Sequence, residues 1–345
     1  MDKITCLFPF SEEAMLMLKN KQLISEYSLK YTGSIPGYSN GFINEICDCD
    51  VEYIDMWDDY ACNQFDVIIV PEEYNDTMNK DIKKRLSLLE SRGKEIVRIG
   101  SLNTCANNSI KEVNEILPIF ACVILITGLG SHTQKSELSI ELYKRFKEDD
   151  VMTEVISPYM ASSIMGFHKF PSFMYCNDID EHQKMLKFNR FIKDIDLTNP
   201  DVIIICVPEG VMPYPDEMDI TNCGIMNFMI STVVPPDYVC CNLYAKEYSN
   251  YELKEIVETC EKKVGKQIDS LMFSDFAIDW IAYNDILQDE GIQFFPLSPD
   301  IVDRYVNIAR ENMELVNVNS MRDISNLYNN IMHCLHMSSR NYQIL

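Results

Sequence analysis

Basic residues are scarce in this chain: 30 Lys and Arg stand against 53 Asp and Glu, a net charge of −23 over 345 residues. Nucleic acids and anionic membrane surfaces are held by clustered Lys and Arg, so the composition argues against both as partners. The acid residues are spread along the chain, the pattern of a solvated surface. A long hydrophobic run is also missing. The longest, Ile119–Ile126, is far shorter than the roughly 20 residues that span a bilayer. Cys-x2-Cys spacing is absent too. Cys47-Asp-Cys49 and Cys240-Cys241 are the close pairs, and both are expected to be reduced and metal-free. No Gly-x-Ser-x-Gly elbow, His-Glu-x-x-His motif or Cys/His nucleophile pair occurs, which sets aside the hydrolases built on them.

What is present is ordinary for a globular protein, with 47% hydrophobic and 24% charged residues. The length gives a prior of two domains. Thirteen cysteines form no framework. Cys6, Cys122 and Cys206 lie in apolar, strand-like runs and read as small core residues. An odd count, no signal peptide and many unpaired thiols point to a reducing cytoplasm.

The first hundred residues alternate between strands and helices. Lys3–Phe8, Val51–Met56, Asp66–Val70 and Glu95–Ile99 read as strands, and DVIIV is apolar on both faces, as a central parallel strand requires. Ser11-Glu12-Glu13 starts one helix, and Asn79–Arg92 forms another that Gly93 ends. This predicts a Rossmann- or flavodoxin-like α/β domain over residues 1–105, to which no nucleotide is assigned. The polar, Asn-rich stretch 106–118 is expected to be a linker. From 119 to 345 the alternation restarts: strands at Ile119–Thr127, Thr153–Ser157, Asp201–Val207 and Tyr238–Leu243 are interleaved with helices.

The most telling stretch is ACVILITGLGSHTQKSELSIELYKR, residues 121–145. A buried strand ends at Gly128, a loop follows, and Lys135-Ser136 opens a helix. Backbone N–H groups at a helix start attract phosphate, a lysine adds a point charge, and a hydroxyl can hold Mg2+. The candidate cradle is Gly128, Gly130, Ser131, His132, Thr133, Gln134, Lys135 and Ser136. The ordinary Walker A spacing fails, because the position it needs for its first glycine is Leu129. Counted from Gly128 the spacing is one residue longer. Gln134 stands where glycine is expected, and is tolerable if its φ is negative.

This longer form, with Thr127-Gly128 before it and Lys135-Ser136 after it, resembles the loop of dethiobiotin synthetase and related P-loop proteins. Those proteins carry a Glu-Gly pair after their third strand, with the glutamate near Mg2+. The match in this chain is Glu209-Gly210, after the strand Asp201–Val207. The resemblance implies a P-loop NTPase-like domain with a mostly parallel sheet. It gives Lys135 and Glu209 catalytic roles, Ser136 and Glu209 the metal, and ATP with Mg2+ as cofactors. Its activity would be that of an ATP-dependent ligase or NTPase, activating a carboxyl or another acceptor.

Residues 121–280 also resemble a clostridial family of peptide maturation system proteins, encoded beside ribosomally made peptides. The shared features are Gly128–Gly130, Lys135, the helix from Leu138 to Phe146, and Phe167–Pro171. That resemblance implies a nucleotide-binding accessory role in natural-product biosynthesis, with a peptide or a peptide-modifying enzyme as partner. The alternative is a non-catalytic scaffold whose phosphate loop has degenerated. Gln134, and the lack of an acid directly after Ile156-Ser157, favour it. So does the Met- and aromatic-rich segment 158–180, which suits a peptide surface. His168 and His132 are of interest only if they meet in one pocket.

Overall fold

The structure, a computed structural model, describes residues 3–9, 12–33, 51–70, 80–99, 114–212, 224–278, 294–310 and 315–342. Cys47, Cys49 and most of the expected linker lie outside the described residues. The chain divides into two compact units, Met1–Cys105 with Tyr159–Ser172, and Ala106–Pro158 with Phe173–Leu345. Residues 159–172, expected in the second domain, therefore group with the first, including the two-residue strand at His168–Lys169.

The first unit contains β1 (Lys3–Leu7), α1 (Glu12–Lys19), β2 (Tyr27–Thr32), β3 (Glu52–Tyr53), β4 (Val67–Val70), α2 (Lys80–Ser91) and β5 (Glu95–Arg98). The strands run parallel in the order β3-β2-β1-β4-β5. This is the Rossmann order, with the chain reversing direction of travel at β1. All four residues of β4 are buried, as its apolar run demands. The strand expected over Val51–Met56 shrinks to Glu52–Tyr53; Ile54 keeps one bond to β2, its N–H donating to Thr32 O at 2.8 Å, and Ile54 and Met56 join the core around Phe8, Phe65 and Ile68.

The strand β8 (His168–Lys169) groups with the first unit, and the second unit is an α/β fold around a parallel sheet. It is built from β6 (Cys122–Gly128), α3 (Lys135–Glu148), β7 (Thr153–Ser157), α4 (Glu181–Asp196), β9 (Val202–Cys206), α5 (Ile225–Val233), β10 (Tyr238–Leu243), α6 (Asn250–Val264) and β11 (Ser270–Phe273). These are followed by β12 (Phe276–Ile278), β13 (Phe294–Pro296), α7 (Pro299–Arg310), β14 (Leu315–Asn317) and α8 (Met321–Tyr342). Within the unit the order is β14-β11-β10-β6-β9-β7, and neighbouring strands pair in parallel. β12 and β13 form a separate antiparallel pair. Strands β9 and β10 are buried along their whole length, which is why IIIC and YVCCNL carry no alternation.

Aspartates hold the amino-terminal edge of this sheet. Asp196 Oδ1 accepts the N–H groups of Phe120 (3.0 Å) and Ala121 (2.8 Å) just before β6. Asp237 accepts from Val123, Asp201 from Met152, and Asp269 from Val239, at 2.8, 2.9 and 2.8 Å. A strand that starts at a sheet edge leaves such amides unpaired, and a carboxylate is a strong acceptor for them. Part of the acidity is thus structural and not merely solvated.

Helix starts follow the sequence closely. Ser249 and Glu252 cap α6 reciprocally, and Gly265 ends it with φ 72°. Ser249→Ala should lower stability by about 1 kcal/mol. A urea melt that does not shift would show that the cap contributes nothing.

Candidate functional site

Strand β6 lies between β9 and β10, with Ile126 beside Cys206 and Gly128 beside Asn242. Its carboxyl end opens directly into the loop 129–134, and α3 begins at Lys135. Here the expectation for Gln134 is overturned. Its φ is +55°, left-handed, and His132 has φ +56°, while Thr133 between them is not in the positive region. Alternating signs of φ turn successive N–H groups toward one side, the arrangement of an anion-binding nest. Among the described residues no acceptor is bonded to the N–H groups of Thr133, Gln134, Lys135 or Ser136. These amides, at the start of a helix of 14 residues, present positive potential.

Glutamine in a left-handed conformation costs roughly 1–2 kcal/mol. The side chain offsets this, because Gln134 Oε1 accepts the N–H of Asp275 at 2.8 Å, just past β11. The glycine position is thus filled by a residue that ties the loop to the next strand end.

Other elements grip the same loop. Asn242 Nδ2 donates to the Thr133 carbonyl (2.8 Å), and the Tyr244 hydroxyl to that of Ser131 (2.6 Å). From the β9 side, Val211 N–H donates to Gly128 O (2.9 Å) and Met212 N–H to Leu129 O (3.1 Å). Two glycines permit the close packing. A Cβ on Gly128 would lie 2.5 Å from Thr133 Oγ1, and one on Gly210 would lie 2.3 Å from Leu129 O and 2.4 Å from Gly130 Cα. Beside the loop, two buried polar atoms, Thr127 Oγ1 and Asn242 Oδ1, have no hydrogen-bond partner.

Lys135 is 6% exposed, not at the surface. Its ammonium donates to the carbonyls of Gly130 (3.2 Å), Pro208 (3.2 Å) and Glu209 (3.0 Å). Burial lowers its pKa to about 8, against the opposing pull of Cys206, Cys241 and Glu209. Ser136 Oγ contacts Cys206 Sγ at 3.7 Å, and burial raises that thiol to about 11. Glu209 is half-buried and meets Lys135 through its backbone. Lys135, Ser136 and the 208–209 segment are therefore together at the carboxyl edge of one sheet, where α/β proteins bind ligands.

Sequence reasoning missed Tyr175. It is partly buried, and burial, together with Glu209 and Cys206, pushes its hydroxyl pKa up. Its signal was only its place in the 158–180 segment. His132 packs on Phe294 with ring centres 4.5 Å apart, and Phe294 stacks on Tyr244 at 5.6 Å. His168 falls in the other unit. Cys240 and Cys241 are buried free thiols, whereas Cys176 is disulfide-bonded, against the expectation of unpaired thiols there. Among the described residues, no cluster of three or more His, Cys, Asp or Glu could hold a metal, and no helix is long and apolar enough to cross a membrane.

In fold, the chain is similar to a DUF1611 family protein. That structure, from Anabaena variabilis, aligns over 96% of this chain and 99% of its own at TM-score 0.63 and 11% identity. A nucleotide-binding protein from Archaeoglobus fulgidus in complex with ADP aligns over 60% of this chain and 85% of its own, at TM-score 0.35 and 7% identity. The signal recognition particle 54 kDa protein of Aeropyrum pernix in complex with GDP covers 79% and 58%, at TM-score 0.35 and 10% identity. Those two TM-scores are too low to establish a common fold. No family model matches the chain, and no curated protein sequence matches it.

Proposed function

We propose that the second unit binds a nucleoside polyphosphate, ATP with Mg2+, on the 128–136 loop. The observation that carries this is the nest of unbonded amides at the start of α3, beside a buried ammonium. A phosphate chain would accept from those N–H groups, and Lys135 would supply a charged donor. The donor set also fits the cation. Mg2+ takes oxygen ligands, usually one or two from protein with the rest from phosphate and water, and the Ser136 hydroxyl and Glu209 carboxylate are of that kind. Bound there, the ion would neutralise phosphate charge. The protein itself orients the chain through the loop amides and keeps water from Lys135 by burying it.

The physiological setting is proposed from sequence resemblance: an accessory protein in the maturation of a ribosomally made peptide, with ATP-dependent activation as its chemistry. One observation favours the scaffold reading instead. Glutamine occupies a left-handed position that glycine serves without strain, as in a loop relieved of phosphate contact.

Thermal unfolding with ATP, GTP, ADP or phosphate, each with and without Mg2+, separates the two. A nucleotide at a hundred times its Kd should stabilise the protein by about 2.7 kcal/mol. Gln134→Gly, which removes the strained residue, should tighten binding in calorimetry. No stabilisation of the wild type by any of these ligands, and no heat gained by Gln134→Gly, would leave the scaffold.

A further inference from the structure

We infer that residues 208–212 form a latch that holds Lys135 away from phosphate and must open for a nucleotide to engage it. The inference rests on the nucleotide reading for its ligand, but the latch is visible without one. Two of the three carbonyls that accept from the Lys135 ammonium, those of Pro208 and Glu209, belong to this segment. An ammonium has three protons, and these acceptors use all of them. A phosphate oxygen can take the charge only by displacing at least one carbonyl.

The segment is fastened to the phosphate loop as well as to the lysine. Val211 and Met212 donate to Gly128 and Leu129, and Gly210 lies against the backbone of Leu129 and Gly130. On its other side, Lys263 of α6 donates to the Val211 carbonyl. Releasing Lys135 removes two of the bonds that keep the segment down. Ligand binding and movement of Glu209 are thereby coupled, because Glu209 is itself a latch residue. The closed arrangement also reduces apparent affinity. If the competent form is one in ten to one in a hundred molecules, the apparent Kd rises by about the same ten- to hundred-fold.

Gly210→Ala tests this directly. Its Cβ would meet backbone atoms at 2.3 and 2.4 Å, contacts that the closed segment cannot relax by moving a side chain. Lys263→Met removes the fastening from α6 and serves as a milder second variant if Gly210→Ala does not fold. The first readout needs no nucleotide: acetylation of Lys135 by an N-hydroxysuccinimide ester, followed by peptide mass spectrometry. Lys135 should react slowly in the wild type and about ten-fold faster or more in the opened variants, following the open fraction. The second readout is calorimetry with ATP and Mg2+, in which the opened variants should bind more tightly than wild type. Lys135 reacting in the wild type like the exposed lysines, or staying protected in both folded variants, would overturn the latch. Release of Lys135 with no ATP bound by any of the proteins would uphold the latch and remove nucleotide as its ligand.

Discussion

Replacing Lys135 by alanine should reduce affinity for ATP and Mg2+ about ten- to hundred-fold. A charged hydrogen bond to phosphate contributes about 1.5–3 kcal/mol, and each 1.4 kcal/mol is a decade in Kd. The burial of Lys135 gives the substitution a second effect. Three carbonyls lose their donor, so some stability is lost as well, and binding must be read below the variant's melting range. The pH dependence carries an independent signature. With the folded pKa lowered to about 8, the ammonium is charged at pH 7 and neutral above pH 9, so wild-type affinity should fall across that interval. Lys135→Ala should show no such fall. Because the variant also loses the two bonds that close the 208–212 latch, part of its loss at pH 7 is offset. The pH comparison decides: calorimetry at pH 7 and 9 in which both proteins weaken equally would take Lys135 out of the site.

Asp196→Ala should destabilise the second unit by about 3 kcal/mol, since it strands two amides and leaves the Lys193 ammonium with the Pro118 carbonyl but without its ion-pair partner. Asp196 is 5% exposed, accepts from Phe120 and Ala121, and pairs with Lys193 at 2.7 Å. Burial pushes its carboxyl pKa up, but the Lys193 bond and the two amides outweigh burial and leave it below the ordinary value. The sign follows from that depression. The stabilisation is complete above the unfolded pKa of about 3.9 and is lost as pH falls through the lower folded value. Urea melts of wild type and variant should therefore differ most at pH 7 and converge in acid. A gap that stayed constant to pH 3 would show that the charge of Asp196 plays no part.

Much of this architecture is legible in the residues, and the exceptions have physical causes. β4 and β9 are apolar throughout, and β6 and β10 nearly so, because both faces of their sheets are covered, and such runs stand out in any sequence. β2 does not. YSLKYT alternates poorly and buries only Leu29 and Thr32, so its strand depends on pairing with β1. β14 is three residues long and was hidden between two helices. At the site, the loop and its lysine were legible from local spacing. The grip on them was not, because Asn242, Tyr244 and Asp275 reach the loop from 109, 113 and 141 residues away. The left-handed φ of Gln134 was equally hidden. A non-glycine residue enters that region only when its surroundings hold it there, and here they include the amide of Asp275.

The aspartate caps at the amino edge also sort charge in space. Strand β6 has seven residues, so at roughly 3.3 Å each it separates its two ends by about 20 Å. The screening length in physiological salt is about 8 Å. Carboxylates that bind the strand starts are therefore electrically remote from the amides at the strand ends, although every one of them counts toward the net −23. An anion arriving at the 129–134 loop meets a local field set by helix α3, Lys135 and Glu209. The repulsion of those four carboxylates is thereby kept to the far side of the sheet.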